Sequence, residues 1–353
     1  MQTRYLALDG IRGLAAIYVA VLHAPQWFGE WTPDNGFLAV DLFFALSGFV
    51  LAASYGGRFG KGLTPWIFLK MRIIRLYPLY ALGLLLSLAL LLLAMASQGR
   101  ITEFTAPGWA ALPYALFMLP MPSHDPSSTL YPLNIPAWSL MFEIIINIVF
   151  AATFMFWTKR NLALVMLVAG SLLLLIDARG DGGHNWSTLY FGVLRVSYSF
   201  PAGVLVYLLL ADGWKLPRLP ALACLAAFPL LILIPSANVA LFCVLIGFPL
   251  LVAFAASVEL PRRLATPSIL LGSASYALYV LHMPLYSFVK ACLEKLHLQV
   301  SPLPFGILTA LAVLLLSLLA VRYADVPLRR FLSEQLLQKR SSRTTEPALL
   351  QVK

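Results

Sequence analysis

Four sets of residues in this 353-residue chain have the types and spacing to do chemistry, and each lies in or beside a strongly apolar stretch. The first is Arg12 with His23, eleven residues apart. On an α-helix that separation is three turns plus ~20° and a rise of ~16 Å, so a cation and a titratable base would share one face at two depths. A neutral imidazole, with an ordinary pKa of ~6.5, can take a proton from a hydroxyl and give it back. A histidine inside an apolar helix can equally be a packing residue hydrogen-bonded to a neighbouring helix, so both readings stand for His23.

The second set is Arg72 and Arg75, three apart on one helical face among Trp66, Tyr77 and Tyr80. Two uses fit: snorkelling toward anionic lipid headgroups, or gripping a phosphate with planar guanidinium forks. The third is Trp138 with Glu143, a carboxylate about a turn and a half further along an apolar run. Such a group is costly unless it meets an arginine, a histidine or a substrate hydroxyl. The fourth is Ser275-Tyr276 followed by His282, which either packs or positions an acceptor. Asp9 and Asp41 are open in the same way, since each could cap a helix or pair with an arginine.

Metal and nucleotide chemistry find no support. The five histidines show no HExxH-like spacing, and Cys224, Cys243 and Cys292 form no CxxC pair, so the cysteines read as small buried apolar residues and no metal or bound cofactor is expected. Gly56-Gly-Arg-Phe-Gly-Lys61 lacks the spacing of a phosphate loop and reads as a flexible turn.

The elements that must position these residues are membrane helices. The chain is 60% hydrophobic and 11% charged with a mean hydropathy of +0.84. A soluble globule would carry about 25% charged residues. Apolar runs at 11–26, 37–54, 77–96, 137–157, 161–177, 188–210, 219–235, 238–256, 269–290 and 303–321 predict a ten-span all-α bundle. The stretch 109–121 is shorter and interrupted by Pro113 and Pro120, so it reads as re-entrant or interfacial. Basic residues alternate with this count: Arg4, then Arg58 to Arg75, Lys159 and Arg160, Lys215 and Arg218, Arg262 and Arg263, and a basic tail. By the positive-inside rule both termini are expected in the cytoplasm. The net charge of +10 is therefore a topology signal, with no nucleic acid implied. Residues 1–334 form the expected membrane domain and 335–353 a polar, disordered tail. No cleaved signal peptide is expected, because cleavage would discard Arg12 and His23.

Five motifs in order carry a resemblance: Leu8-Asp9-Gly-Ile-Arg12 with His23; Val40-Asp41 to Ser47-Gly48-Phe49; Arg72-Ile-Ile-Arg75-Leu-Tyr-Pro78; Trp138-Ser-Leu-Met-Phe-Glu143; and Ser275-Tyr276 to His282-Met-Pro284. Together they resemble the bacterial acyltransferase 3 family. The resemblance implies a ten-span bundle that moves acyl groups, often acetyl from acetyl-CoA, to hydroxyls of cell-surface glycans. It implies Arg12 and His23 in the activity, Arg72 and Arg75 as the RxxR-type motif, and Trp138 and Glu143 as the tryptophan-to-glutamate motif. Two departures matter. Phe142 stands where many members carry a second polar residue, and no soluble hydrolase-like domain is expected after residue 321, so the bundle or a partner would complete the transfer.

The expectation is an O-acyltransferase of the bacterial inner membrane, with acyl-CoA as donor substrate and a surface glycan or lipid-linked saccharide as acceptor. His23 is the expected general base, with a transient acyl-enzyme as the other route, and Arg12 holds the donor or orients the site. Arg72 and Arg75 would grip phosphate at the cytoplasmic mouth, while Glu143 or His282 positions the acceptor from the outer side. The competing class is an exporter of a lipid-linked sugar, which would predict discontinuous spans in two related halves. No such halves are visible in the sequence. The acyl group, the acceptor and the oligomeric state are not legible in it.

Overall fold

The computed structural model describes residues 4–98, 106–176, 182–217, 219–234 and 236–337. Among them the chain is helical, with no strand beyond an isolated bridge between Thr129 and Asn185. Arg100, Arg218 and the basic tail from residue 338 lie outside the described residues.

The helices follow the apolar runs, because a helix satisfies its own backbone where water is absent. They are α1 (Leu6–Leu22), the short α2 (Pro25–Phe28), α3 (Ala39–Phe59), α4 (Pro65–Gln98), α5 (Ala106–Leu116), α6 (Ala137–Ala152) and α7 (Lys159–Leu175). There follow α8 (Leu189–Ala211), α9 (Ala221–Ile232), α10 (Ala237–Phe242), α11 (Phe248–Ala256), α12 (Arg262–Lys295), α13 (Pro302–Ala320) and α14 (Val326–Leu337). A π turn at Cys243–Gly247 joins α10 to α11, and another at Val321–Asp325 joins α13 to α14.

Among the described residues six helical stretches are long and apolar enough to cross a membrane, and α1 with the bent α2 would make a seventh. α6, α7 and α9, with 16, 17 and 12 residues, are shorter. Each expected run thus has a helix, but the expected lengths change. α1 begins at Leu6, and its path turns by 85° into α2 rather than continuing to residue 26. Pro25 is the reason: it forces Ala24 out of the helical region and cannot extend the hydrogen-bond ladder. α4 starts twelve residues before the expected 77, and the last helix runs on to Leu337.

Contacts between loops show which connections share an end of the bundle. At the end where α1 finishes, Asn35 donates to the Ile234 carbonyl, Leu130 N–H to the His184 carbonyl and Trp186 Nε1 to the Met121 carbonyl. At the end where α1 begins, Tyr5 packs on Phe49 and Lys159 pairs with Asp212. α5 lies beside the first group, with its last turn accepting from Tyr77 and Tyr80 through the Leu116 and Ala115 carbonyls.

Two seams hold the bundle together: α1 packs most extensively on α12, and α3 on α8. Both depend on residues without a side chain. A Cβ on Gly272 would lie 2.9 Å from the Asp9 carbonyl oxygen, and one on Gly203 would run into the carbonyl of Ala45. With little hydrophobic drive between helices in lipid, such close backbone approach supplies the packing.

Candidate active site

The α1–α12 seam carries a stripe of polar residues through the bundle. α12 presents Gly272, Ser275, Tyr279, His282 and Tyr286 at intervals of three and four along one helical face, with Tyr276 beside Ser275. Arg12 of α1 donates to the Gly272 carbonyl at 2.7 Å and to Ser275 Oγ at 3.0 Å. At the other end His23 Nδ1 lies 3.3 Å from His282 Nε2. Arg12 and His23 therefore do share one face, and both address α12.

Near Arg12 the seam opens into a cavity of about 140 Å³. α4 lends it Arg72 and Arg75, α6 lends Ser139 and Glu143, and α3 lends Ser47. Ser275, Tyr276 and Tyr279 form the α12 wall, and Phe43, Phe44, Leu46 and Leu140 supply apolar lining. Each of the three arginines has a carboxylate partner. Arg12 meets Asp9 at 3.2 Å, Arg72 meets Glu143 at 2.7 Å, and Arg75 meets Asp325 at 3.4 Å. Asp9 also binds Arg4, Asp325 also binds Arg329, and Glu143 accepts from Ser47. The Arg75 guanidinium lies 5.9 Å from the Tyr276 ring, whose hydroxyl donates to the Leu76 carbonyl. Nε of Arg72 is buried and has no acceptor. A cavity so lined can take an anion with several oxygens, because guanidinium forks match phosphate geometry.

This arrangement overturns one expectation. Arg72 was expected at a membrane surface and Glu143 toward the opposite face, yet the two touch. The early start of α4 carries Arg72 two turns inside its helix, while Glu143 comes only six residues into the short α6. With Arg72 and Glu143 side chains 14% and 21% exposed, neither is a lipid-surface snorkel.

Five of the ten expected site residues meet at the cavity: Arg12, Arg72, Arg75, Glu143 and Tyr276. Asp9 stands behind Arg12 as its ion-pair partner. His23 and His282 lie beyond Tyr279, whose ring lines the cavity on one side and sits 6.2 Å from the His282 ring. The Tyr279 hydroxyl is 2.7 Å from Ser139 Oγ and donates to the Pro136 carbonyl, which fixes this partition.

Asp41 and Trp138 belong elsewhere. Asp41 is fully buried against Arg195 of α8, with Nη2 donating to Oδ2 at 2.6 Å and Nε spanning both carboxylate oxygens at 3.0 and 3.1 Å. Arg195 also donates to the carbonyls of Gly182 and Phe37, and the Trp138 ring lies 5.7 Å from its guanidinium. Two ionisable residues that matter here, Arg195 and Asp325, escaped the sequence reading. The signal was present, since Arg195 interrupts the run 188–210 and Asp325 stands four residues after the end of the last one.

Comparison with known proteins agrees with this construction. An acyltransferase-domain family model matches residues 5–322. Protein 2 in the picA locus of Rhizobium radiobacter is 41% identical over 183 residues, covering 50% of this chain and 95% of that protein. The exopolysaccharide production protein ExoZ of Rhizobium meliloti is 29% identical across 70% of this chain and 75% of its own. The acyltransferase MdmB of Streptomyces mycarofaciens is 24% identical, covering 79% and 78%. No solved structure matches. The match along nearly the whole chain favours an enzyme over an exporter: this protein is a membrane acyltransferase belonging to the acyltransferase 3 family.

Proposed function

We propose that the protein moves an acyl group, acetyl in the simplest case, from a cytoplasmic acyl-CoA to a hydroxyl of a cell-surface polysaccharide. The observation that carries this reading is the convergence of Arg12, Arg72 and Arg75 on one cavity, with a buried Arg72 N–H still lacking an acceptor. A phosphate oxygen supplies that acceptor, and charge-assisted pairs of this kind are about twice as strong as neutral ones.

His23 lies about 16 Å along the seam from Arg12, by the rise of eleven helical residues. A donor held by phosphate at one point and reacting at the other needs a long flexible arm between them, which the pantetheine of coenzyme A provides. In this scheme His23 takes the proton of the acceptor hydroxyl and the oxygen attacks the thioester carbonyl carbon. The C–S bond breaks, and the departing thiolate takes up the proton. Tyr279 and Phe43, in edge contact at 5.5 Å, must part for the acyl end to pass.

The end of the bundle carrying Arg4, Arg58, Lys61, Lys159 and Arg262 faces the cytoplasm of the inner membrane in this reading, with all ten apolar runs crossing. The name of the exopolysaccharide production relative supports a polysaccharide acceptor. The test is mass spectrometry of surface glycans from cells with the wild-type protein, with His23→Ala, and with neither. Loss of one ester in the last two supports the proposal, and an identical ester pattern in all three overturns it.

A further inference from the structure

We infer that His282 is a positioning residue: it accepts a hydrogen bond from Nδ1–H of His23, so that the opposite nitrogen, Nε2, is the one that removes the acceptor's proton. This rests on the reading of His23 as general base. The argument is one of donors and acceptors. His23 Nδ1 lies 2.8 Å from the Val19 carbonyl oxygen, which can only accept, so Nδ1 carries the proton in the neutral ring. His282 Nδ1 lies 3.0 Å from the Leu278 carbonyl oxygen, and the same logic puts its proton on Nδ1. The lone pair of His282 is therefore on Nε2, the atom 3.3 Å from His23 Nδ1. The helix carbonyls behind the two rings set them donor to acceptor, and the single Nδ1–H of His23 is shared as a three-centre bond between the Val19 oxygen at 2.8 Å and His282 Nε2 at 3.3 Å.

The second partner matters because the first is shared. The Val19 carbonyl already accepts the backbone N–H of His23 at 3.3 Å, since the break before Pro25 makes His23 the cap of α1. When His23 Nε2 takes up a proton the ring becomes a cation, and its Nδ1–H bond to His282 Nε2 becomes charge-assisted. His282 is fully buried, with the rings of Tyr279 and Tyr286 at 6.2 and 6.0 Å, so the acceptor cannot turn away. A neutral imidazole thus takes the orienting place that a carboxylate holds in a serine-hydrolase triad.

The experiment uses the full chain in detergent with 15N-labelled histidine, the His23 signals being those lost in His23→Gln. The expected spectrum shows a protonated Nδ1 and an unprotonated Nε2 for His23, whatever the enzyme's substrate. A protonated Nε2 on neutral His23 overturns the inference without touching the proposed reaction. Kinetics of two variants complete the test. His282→Phe should lower kcat by ~10²-fold or more with little change in the KM of donor or acceptor, as loss of an orienting partner does. His282→Gln, whose amide oxygen can stand where Nε2 was, should recover most of that loss. A raised acceptor KM with kcat intact would make His282 an acceptor ligand instead, and equal loss in both variants would make it a packing residue. Wild-type protein that transfers no acyl group would refute the proposed function while leaving the tautomer result standing.

Discussion

Among the described residues, the fully buried pair Asp41–Arg195 and the half-buried pair Arg72–Glu143 behave as opposites. In Asp41–Arg195, guanidinium Nε, Nη1 and Nη2 all have acceptors, aromatic rings lie alongside, and the residues are 0% and 4% exposed. In Arg72–Glu143 one bond is short, but Arg72 Nε has no acceptor and both residues line a cavity. The chemistry of the pairs is the same. What separates a structural knot from a ligand-facing pair is spare hydrogen-bonding capacity and adjacent space. A fully satisfied charge has nothing left to offer a substrate, whereas an incompletely satisfied one is costly until something binds.

The sharpest way to break this comparison is to remove one partner of the knot. Asp41→Ala should cost ~3–5 kcal/mol of stability, because Arg195 is left charged and buried. Thermal unfolding in detergent reads it, and Asp41→Leu combined with Arg195→Met should recover much of the loss. Glu143→Gln is the matching change at the cavity, expected to cost no more than ~1 kcal/mol because that pair is partly exposed. Equal melting shifts for the two single changes would erase the distinction.

Gly272→Ala comes next, at ~1–3 kcal/mol for overpacking the α1–α12 seam, and it should lower transfer as well by pushing Arg12 off Ser275. A stability loss with transfer rate unchanged would detach the seam from the site. Arg72→Lys should weaken acyl-CoA binding by ~10-fold, about 1.4 kcal/mol, since lysine keeps the charge and loses the fork. Unchanged affinity in both Arg72→Lys and Arg75→Lys at two salt concentrations would take the donor away from this cavity. The smallest effect expected is that of Trp138→Leu, ~0.5–2 kcal/mol for the lost ring beside Arg195, with donor affinity untouched. A donor-affinity change there would return Trp138 to the site.

Much of the site was legible because lipid makes ionisable residues conspicuous. Arg12, Arg72, Arg75 and Glu143 stand out against their apolar surroundings, and all four line the cavity. Depth was the part that misled. Hydropathy marks where a run is apolar, so it started the third span at 77 and left Arg72 at a surface, whereas the helix begins at Pro65. The bend at Pro25 was likewise written in the sequence, but not its result, which turns His23 from a mid-span residue into a cap facing His282.

By itself the sequence determined that this protein is a helical membrane bundle, which residues carry charge within it, and which of those could share a helical face. Those properties are local: they follow from run length, composition and the 3.6-residue period. Which partner each charge meets was decided by the tertiary structure alone. Arg72 finds Glu143 across 71 residues, Arg195 finds Asp41 across 154, Arg75 finds Asp325 across 250, and His23 finds His282 across 259. Each pairing depends on which helix faces stack and at what height. That is set by close glycine contacts such as Gly272 against Asp9 and Gly203 against Ala45, whose effect exists only once two helices are side by side.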